Sequence, residues 1–135
     1  MIMRKQASRL LFGTVAVAFM AILISANRND NIITTENGMT AVNTTELTRD
    51  IKGFKGSTPV KIFIKKNKVV KVEALPNRET LKFFEKVKPL LKHWDGKTIK
   101  KALNSEPDAI TGATYSSDAI MKNVQVGLEY YNDHK

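Results

Sequence analysis

The chain of 135 residues contains no cysteine. That excludes disulfides, thiolate metal sites, iron–sulfur clusters and thiol nucleophiles at once. It also excludes a lipid anchor on a cysteine behind the N-terminal apolar stretch. The two histidines, His93 and His134, have no ligand-spaced partner, so no metal site is expected. Glu106, Asp108 and Asp118 do not form an acid pair suited to hydrolysis. Neither a G-x-x-x-x-G-K nor a G-x-G-x-x-G loop is present, and no internal repeat is found. Acidic residues are scarce: 22 Lys and Arg stand against 13 Asp and Glu, a net charge of +9. Between residues 51 and 102 the imbalance is 15 to 4. No aromatic-interleaved basic pattern or recognition helix accompanies it, so no nucleic-acid partner is expected. A solvated lysine-rich face, or one lying against anionic headgroups, accounts for the charge.

What is present begins with an apolar run from Leu10 to Ala26, 17 residues without a charge. As a helix it spans roughly 25 Å, the lower edge of what crosses a hydrocarbon core of about 30 Å. It is longer than the usual h-region of a signal peptide. Arg4, Lys5 and Arg9 precede the run and outnumber Arg28 behind it, which keeps the N-terminus in the cytoplasm. Residues 1–9 therefore read as a cytoplasmic n-region and 10–26 as a transmembrane anchor or signal segment. The main domain is expected outside the cytoplasm, held at the cell membrane or released to the periplasm if the segment is cleaved. The large Ile24 in Ile24-Ser25-Ala26 favours the anchor.

Residues 27–47, rich in Asn and Thr, read as a polar linker, and 48–132 as the folded domain. In "STPVKIFIKKNKVVKVEAL", Val60, Ile62 and Ile64 alternate with Lys61 and Phe63. Val70, Val72 and Ala74 alternate with Lys71 and Glu73. Lys65-Lys66-Asn67-Lys68 between them predicts a hairpin turn. Asn77 is a candidate N-cap for a helix whose apolar face carries Leu81, Phe83, Phe84 and Val87. A weaker helix follows, with Ile99, Ala102 and Leu103 on one side. Ile120, Val124, Gly127, Leu128 and Tyr131 mark a final amphipathic helix, with Ser116 or Ser117 as its cap. The order predicts an α+β fold, a small antiparallel sheet packed with helices, preceded by the N-terminal transmembrane or signal helix.

The stretch "DAITGATYSS", Asp108 to Ser117, stands just ahead of that final helix. A helix N-terminus offers unpaired N–H groups and partial positive charge, which suit a phosphate. Gly112 and Ala113 keep bulk low, and Thr111, Thr114, Ser116 and Ser117 offer hydroxyls. On composition alone an ordinary helix start with Ser and Thr remains the commoner reading. Trp94 and Tyr115 are candidates to stack on an aromatic ligand; Tyr115 directly follows Thr114, whereas Trp94 is better suited to anchor the core or a loop.

The pattern Asp108…Thr111-Gly112-Ala113-Thr114 resembles the flavinylation motif of the FMN-binding domain family. That family includes the covalent-flavin subunits of sodium-pumping quinone reductases and of the related ion-pumping ferredoxin:NAD oxidoreductases. "IKGFKGSTPVKIFI" resembles the glycine-containing approach to the family's first strands, and Glu79-Thr80 resembles its Glu-Thr-Pro element. Leu81 stands where that element usually has Pro, a departure that bears on the shape of the pocket on that side and not on the attachment site. The similarity covers roughly residues 50 to 131. It implies FMN joined through a phosphoester to Thr114, donated from FAD by a separate Mg²⁺-dependent flavin transferase. Around it the resemblance sets Thr111, Gly112, Ala113, Tyr115, Ser116, Ser117, Glu79, Thr80 and Asp108 as cofactor-binding residues. Asp108 either presents the site to the transferase or caps a turn.

The resulting expectation is an extracytoplasmic electron-transfer protein with a membrane or extracytoplasmic redox donor and acceptor. It is a carrier domain more than a complete enzyme, since no substrate-oxidising site is visible. The competing expectation is a non-redox module that binds a ligand or the envelope on the same small fold.

Overall fold

Two tight turns shape the sheet. At Asn37-Gly38 φ is 53° and 76°, and at Lys66-Asn67 it is 52° and 61°. Two successive positive-φ residues make the mirror-image turn whose twist matches that of the strands it joins. The computed structural model describes residues 32–79 and 81–135. The n-region 1–9, the apolar segment 10–26, residues 27–31 of the linker, Thr80 and the Phe83 side chain lie outside the described residues. Around the turns run β1 (Ile33–Glu36), β2 (Met39–Asn43), β3 (Val60–Lys65) and β4 (Lys68–Ala74), an antiparallel meander in sequence order.

The first hairpin corrects the sequence reading, which places residues 27–47 in a linker. Ala41 and Val42 are fully buried, and β2 pairs with β3 from Thr40↔Ile64 to Asn43↔Lys61. The edge strand β1 is half exposed and carries Thr34, Thr35 and Glu36, which hides its period. A second correction concerns β4. The register shifts between Phe63 and Ile64, which pair with Lys71 and Val69, so Val70 is the extra residue of a bulge. Val69 and Val72 therefore point into the core while Val70 is exposed. The free side of β4 is covered: Val69 N–H donates to Lys97 O at 2.8 Å, and Gly96 N–H donates to Val69 O at 2.7 Å.

Three helices follow: α1 (Leu81–Val87), α2 (Ile99–Leu103) and α3 (Thr114–His134), with a 3₁₀ turn at Lys88–Lys92. In α1, Phe84 and Val87 are buried as their spacing predicts, but Leu81 is 72% exposed at the first turn. Asn77 does not cap this helix. Its Oδ1 accepts from Glu79 N–H at 3.0 Å, a local turn ahead of the helix start. In α2, Thr98 is the cap, accepting from Lys101 N–H at 3.3 Å.

Helix α3 lies across β2 and β3 with Ile120, Val124 and Leu128 in the core. Gly127 allows this approach: a Cβ there would stand 2.7 Å from Ile62 Cδ1 and 2.8 Å from Thr44 Cγ2. Beside it, buried Asn123 uses its Oδ1 to accept from Thr44 Oγ1 at 2.7 Å and from Thr48 Oγ1 at 2.5 Å. Its amide donates to Ala119 O at 2.9 Å, so a polar group inside the core is satisfied. Trp94 is buried in the same core. The α+β class with a small antiparallel sheet is thus the observed one. Among the described residues no helix is long and apolar enough to cross a membrane.

Candidate functional site

The expected start of α3 shifts by one turn. The helix begins at Thr114, and its N-cap is Ala113 (φ −140°, ψ 42°), which has no side chain able to cap. Ser116 and Ser117 are therefore inside the first turn. Ser117 N–H donates to Ala113 O at 2.9 Å, the first helical bond. The N–H groups of Thr114, Tyr115 and Ser116 precede it and have no helical acceptor. No acidic residue occupies this turn. The positive end of a 21-residue helix is left open at Thr114.

The approach to this end is narrow in bulk. Gly112 has φ +85°, a conformation that only glycine adopts without strain. Ala113 N–H donates to Ile110 O at 2.9 Å, which closes the turn. The Ser117 hydroxyl donates to Ala113 O at 2.7 Å and accepts from Ile110 N–H at 3.0 Å. Ser117 thus ties the loop onto the helix with both sides of its oxygen, and it is buried.

Ser116 faces the other way. Its hydroxyl donates to Glu79 Oε1 at 3.0 Å. The same carboxylate accepts from Phe54 N–H at 2.6 Å and from Lys55 N–H at 2.8 Å. The tight turn Gly53–Gly56, closed by Gly53 N–H to Gly56 O at 2.8 Å, is thereby clamped to the helix start. Gly53 makes room for the clamp, since a Cβ there would stand 1.8 Å from Glu79 Oε1.

The clamp sets Phe54 beside Tyr115, their ring centroids 6.3 Å apart and tilted by 33°. Both rings are well exposed, at 63% and 68%. With Gly112, Ala113, Thr114 and Ser116 they line an open cleft of about 270 Å³. Exposed aromatic faces beside an uncapped helix end suit a planar aromatic ring that carries a phosphate. Lys86 of α1 adds a cation, with its Nζ 3.6 Å from the point a Cβ on Gly112 would occupy.

The structure thus gathers Gly112, Ala113, Thr114, Tyr115, Ser116, Ser117 and Glu79 into one site. Thr114 and Thr111 are exposed, and their hydroxyls make no hydrogen bond among the described residues. Ser116 and Ser117 are present in another capacity than as phosphate donors, because their hydroxyls are engaged within the protein. Asp108 is exposed and its carboxylate makes no hydrogen bond among the described residues, so it caps no turn there. Trp94 belongs to the core and not to this cleft, as does the sheet of aliphatic residues around it. Phe54 and Lys86 were not singled out by sequence reasoning. Phe54 carried a signal, an aromatic residue inside a Gly-x-x-Gly turn; Lys86 carried none among so many lysines.

Comparison with known families agrees with this geometry. A family model described as FMN-binding domain matches residues 53–129. The match takes in the Gly53–Gly56 turn, Glu79, Lys86 and the whole first turn of α3. The chain belongs to the FMN-binding domain family, and the resemblance read from residues 108–117 is borne out. FMN is the cofactor and electron transfer the general role that the family supports. Neither a search of curated proteins nor one of solved structures finds a match.

Proposed function

We propose that this protein carries FMN covalently through a phosphoester on Thr114 and passes electrons outside the cytoplasm. The observation that carries the attachment is the position of Thr114: it is an exposed residue at the uncapped start of α3, directly after Gly112 and Ala113. An ester phosphate on that oxygen meets the open N–H groups of the first turn, the helix dipole and the Lys86 ammonium. Phe54 and Tyr115 flank the space where the ring system belongs.

Attachment uses FAD as donor and a separate Mg²⁺-dependent flavin transferase as catalyst. The Thr114 oxygen forms the bond to the FMN phosphorus, the pyrophosphate P–O bond of FAD breaks, and AMP leaves. The hydroxyl proton passes to a base on the transferase, for among the described residues no side chain is hydrogen-bonded to Thr114. A threonine open to solvent is what a second protein needs to reach. Once in place, FMN supplies one- and two-electron chemistry. The chain's own residues hold the phosphate, orient the ring and leave an edge accessible.

The basic n-region and the apolar segment 10–26 support a membrane anchor with the domain outside the cytoplasm. There a dissociable cofactor would be lost, so a covalent one is retained. Intact-mass spectrometry of the chain co-expressed with a flavin transferase tests the attachment. The wild type should gain one FMN less one water, and Thr114→Ala should gain nothing. Equal gain in both would move the site elsewhere, and no gain in the wild type would remove covalent attachment.

A further inference from the structure

The Gly53–Gly56 turn has a second face. On one side Phe54 borders the aromatic cleft; on the other, Lys55 and Gly56 border a separate cleft of about 380 Å³. Arg49, Lys52, Lys55 and Arg78 line this second cleft together with Pro76 and Asn77, and among the described residues no carboxylate lines it. Arg49 is paired with Glu46 and has Asp50 nearby. Lys52, Lys55 and Arg78 have no ion pair among the described residues. Like charges brought together on a surface repel one another, and no ion pair among the described residues offsets that repulsion at Lys52, Lys55 and Arg78.

The backbone beneath these charges is tied down at several points. Lys52 and Ser57 form an isolated antiparallel bridge across the base of the turn. The Glu79 carboxylate fixes the backbone of Phe54 and Lys55, and Arg78 is the residue immediately before it. One buried carboxylate therefore holds both the aromatic cleft and the basic cleft. Phe54 and Lys55 are adjacent, with Cα atoms about 3.8 Å apart, so the two clefts meet across a single residue.

We propose that the basic cleft is the docking surface for an acidic redox protein, the partner that exchanges electrons with this domain. The proposal rests on the reading of the aromatic cleft as the flavin site. Exposed aromatic rings beside Arg are enriched in protein interfaces, and the lysines add the charge that draws an acidic partner. Opposite charge steers the partner to that face and sets its orientation. Carboxylates seated among Lys52, Lys55 and Arg78 bring the partner to the edge of the cofactor. A concave cleft receives protruding side chains, where a lipid surface would favour a flat or convex basic face.

The test uses the full chain loaded with flavin, in three forms: wild type, the triple variant Lys52→Glu, Lys55→Glu and Arg78→Glu, and a charge-matched control with Lys92→Glu, Lys100→Glu and Lys101→Glu. The probes are an octaglutamate peptide and vesicles of phosphatidylcholine with or without phosphatidylglycerol. Amide chemical shifts should move at Lys52 to Ser57 and at Arg78 on adding the peptide. Affinity should fall about tenfold in the triple variant, fall with rising salt, and hold in the control. Peptide binding that the triple variant retains, or that the control loses instead, overturns the proposal. So does a triple variant that loses phosphatidylglycerol-dependent vesicle binding while the peptide binds to none of the forms; the cleft then faces the membrane. Visible absorbance of each sample reports flavin loading separately. A chain that takes up no flavin refutes the flavin reading, whereas a loaded chain that ignores the peptide refutes the docking surface alone.

Discussion

The hydroxyl of Ser116 donates to the carboxylate of Glu79 at 3.0 Å, joining two residues 37 apart in the chain. Glu79 is buried, and its other bonds go to the backbone of the turn that carries Phe54. The position of one wall of the cleft relative to the other thus depends on a single charged group. Hydrogen bonds to an ionised acceptor are stronger than neutral ones, and a partner left behind in a buried place is costly.

Glu79→Ala should destabilise the domain by about 2–4 kcal/mol, because two backbone N–H groups and a hydroxyl lose their shared acceptor. Glu79→Gln should cost less, since an amide oxygen keeps part of the clamp. Urea unfolding of the variants gives the ranking, and flavin loading should fall in the same order as Phe54 is released.

Gly53→Ala tests the same clamp from the opposite side. The added methyl would sit 1.8 Å from Glu79 Oε1, so the carboxylate or the turn must move. We expect a loss of about 1–3 kcal/mol and altered amide shifts at Phe54, Lys55 and Ser116. Stability equal to wild type would mean that the turn is not held as described.

At Gly127 the obstacle is a core side chain. Gly127→Ala meets Ile62 Cδ1 at 2.7 Å and Thr44 Cγ2 at 2.8 Å. The gain in helix propensity should be outweighed by overpacking, for a net loss of about 1–2 kcal/mol. A combined Gly127→Ala and Ile62→Val variant should recover part of it in thermal unfolding.

Lys86→Gln removes a cation beside Gly112. Reduced flavin carries more negative charge than oxidised flavin, so the midpoint potential should fall. An exposed charge interaction of at most about 1 kcal/mol corresponds to a shift on the order of 20 mV for a two-electron couple. Spectroelectrochemical titration of both proteins measures it, and an unchanged potential would take Lys86 out of the site.

His93 gives the fold a pH dependence of known sign. Desolvation, and then the nearby Lys97 charge, lower its pKa below the ordinary value of 6.5. Its Nε2 lies 2.7 Å from Ser105 Oγ, and its ring meets Trp94 edge-on at 5.3 Å. The unfolded chain therefore binds the proton more readily. This contribution to stability is complete above the unfolded value and is lost as pH falls from there through the lower folded value. Urea midpoints measured on either side of that window should drop less for His93→Gln than for the wild type.

How far the sequence reached can be judged from particular elements. The β3–β4 hairpin and helix α3 were legible because each buries one face and repeats apolar residues at its own period. The flavin motif was legible because it is local: Gly112, Ala113 and Thr114 are consecutive, and the conformation they need follows from their small size. The β1–β2 hairpin was missed although Asn37-Gly38 announced it, because its polar edge strand masks the alternation. Val70 was assigned to the wrong face because a bulge shifts the strand's period by one residue, and only pairing with β3 reveals it.

The sequence by itself determined the elements that short-range sterics and periodic burial control, and it singled out Thr114 as the residue proposed to carry the attachment. Of what stands around it, Glu79 was legible only through the family resemblance, and Phe54 and Lys86 only through the tertiary structure. Glu79, Phe54 and Lys86 come from three separate segments, and no local pattern links them to Thr114. They meet because α3 must cover the sheet, and Gly127 lets it lie close. The approach of helix and sheet brings the start of α3 to the Gly53–Gly56 turn, where one buried carboxylate finds its donors.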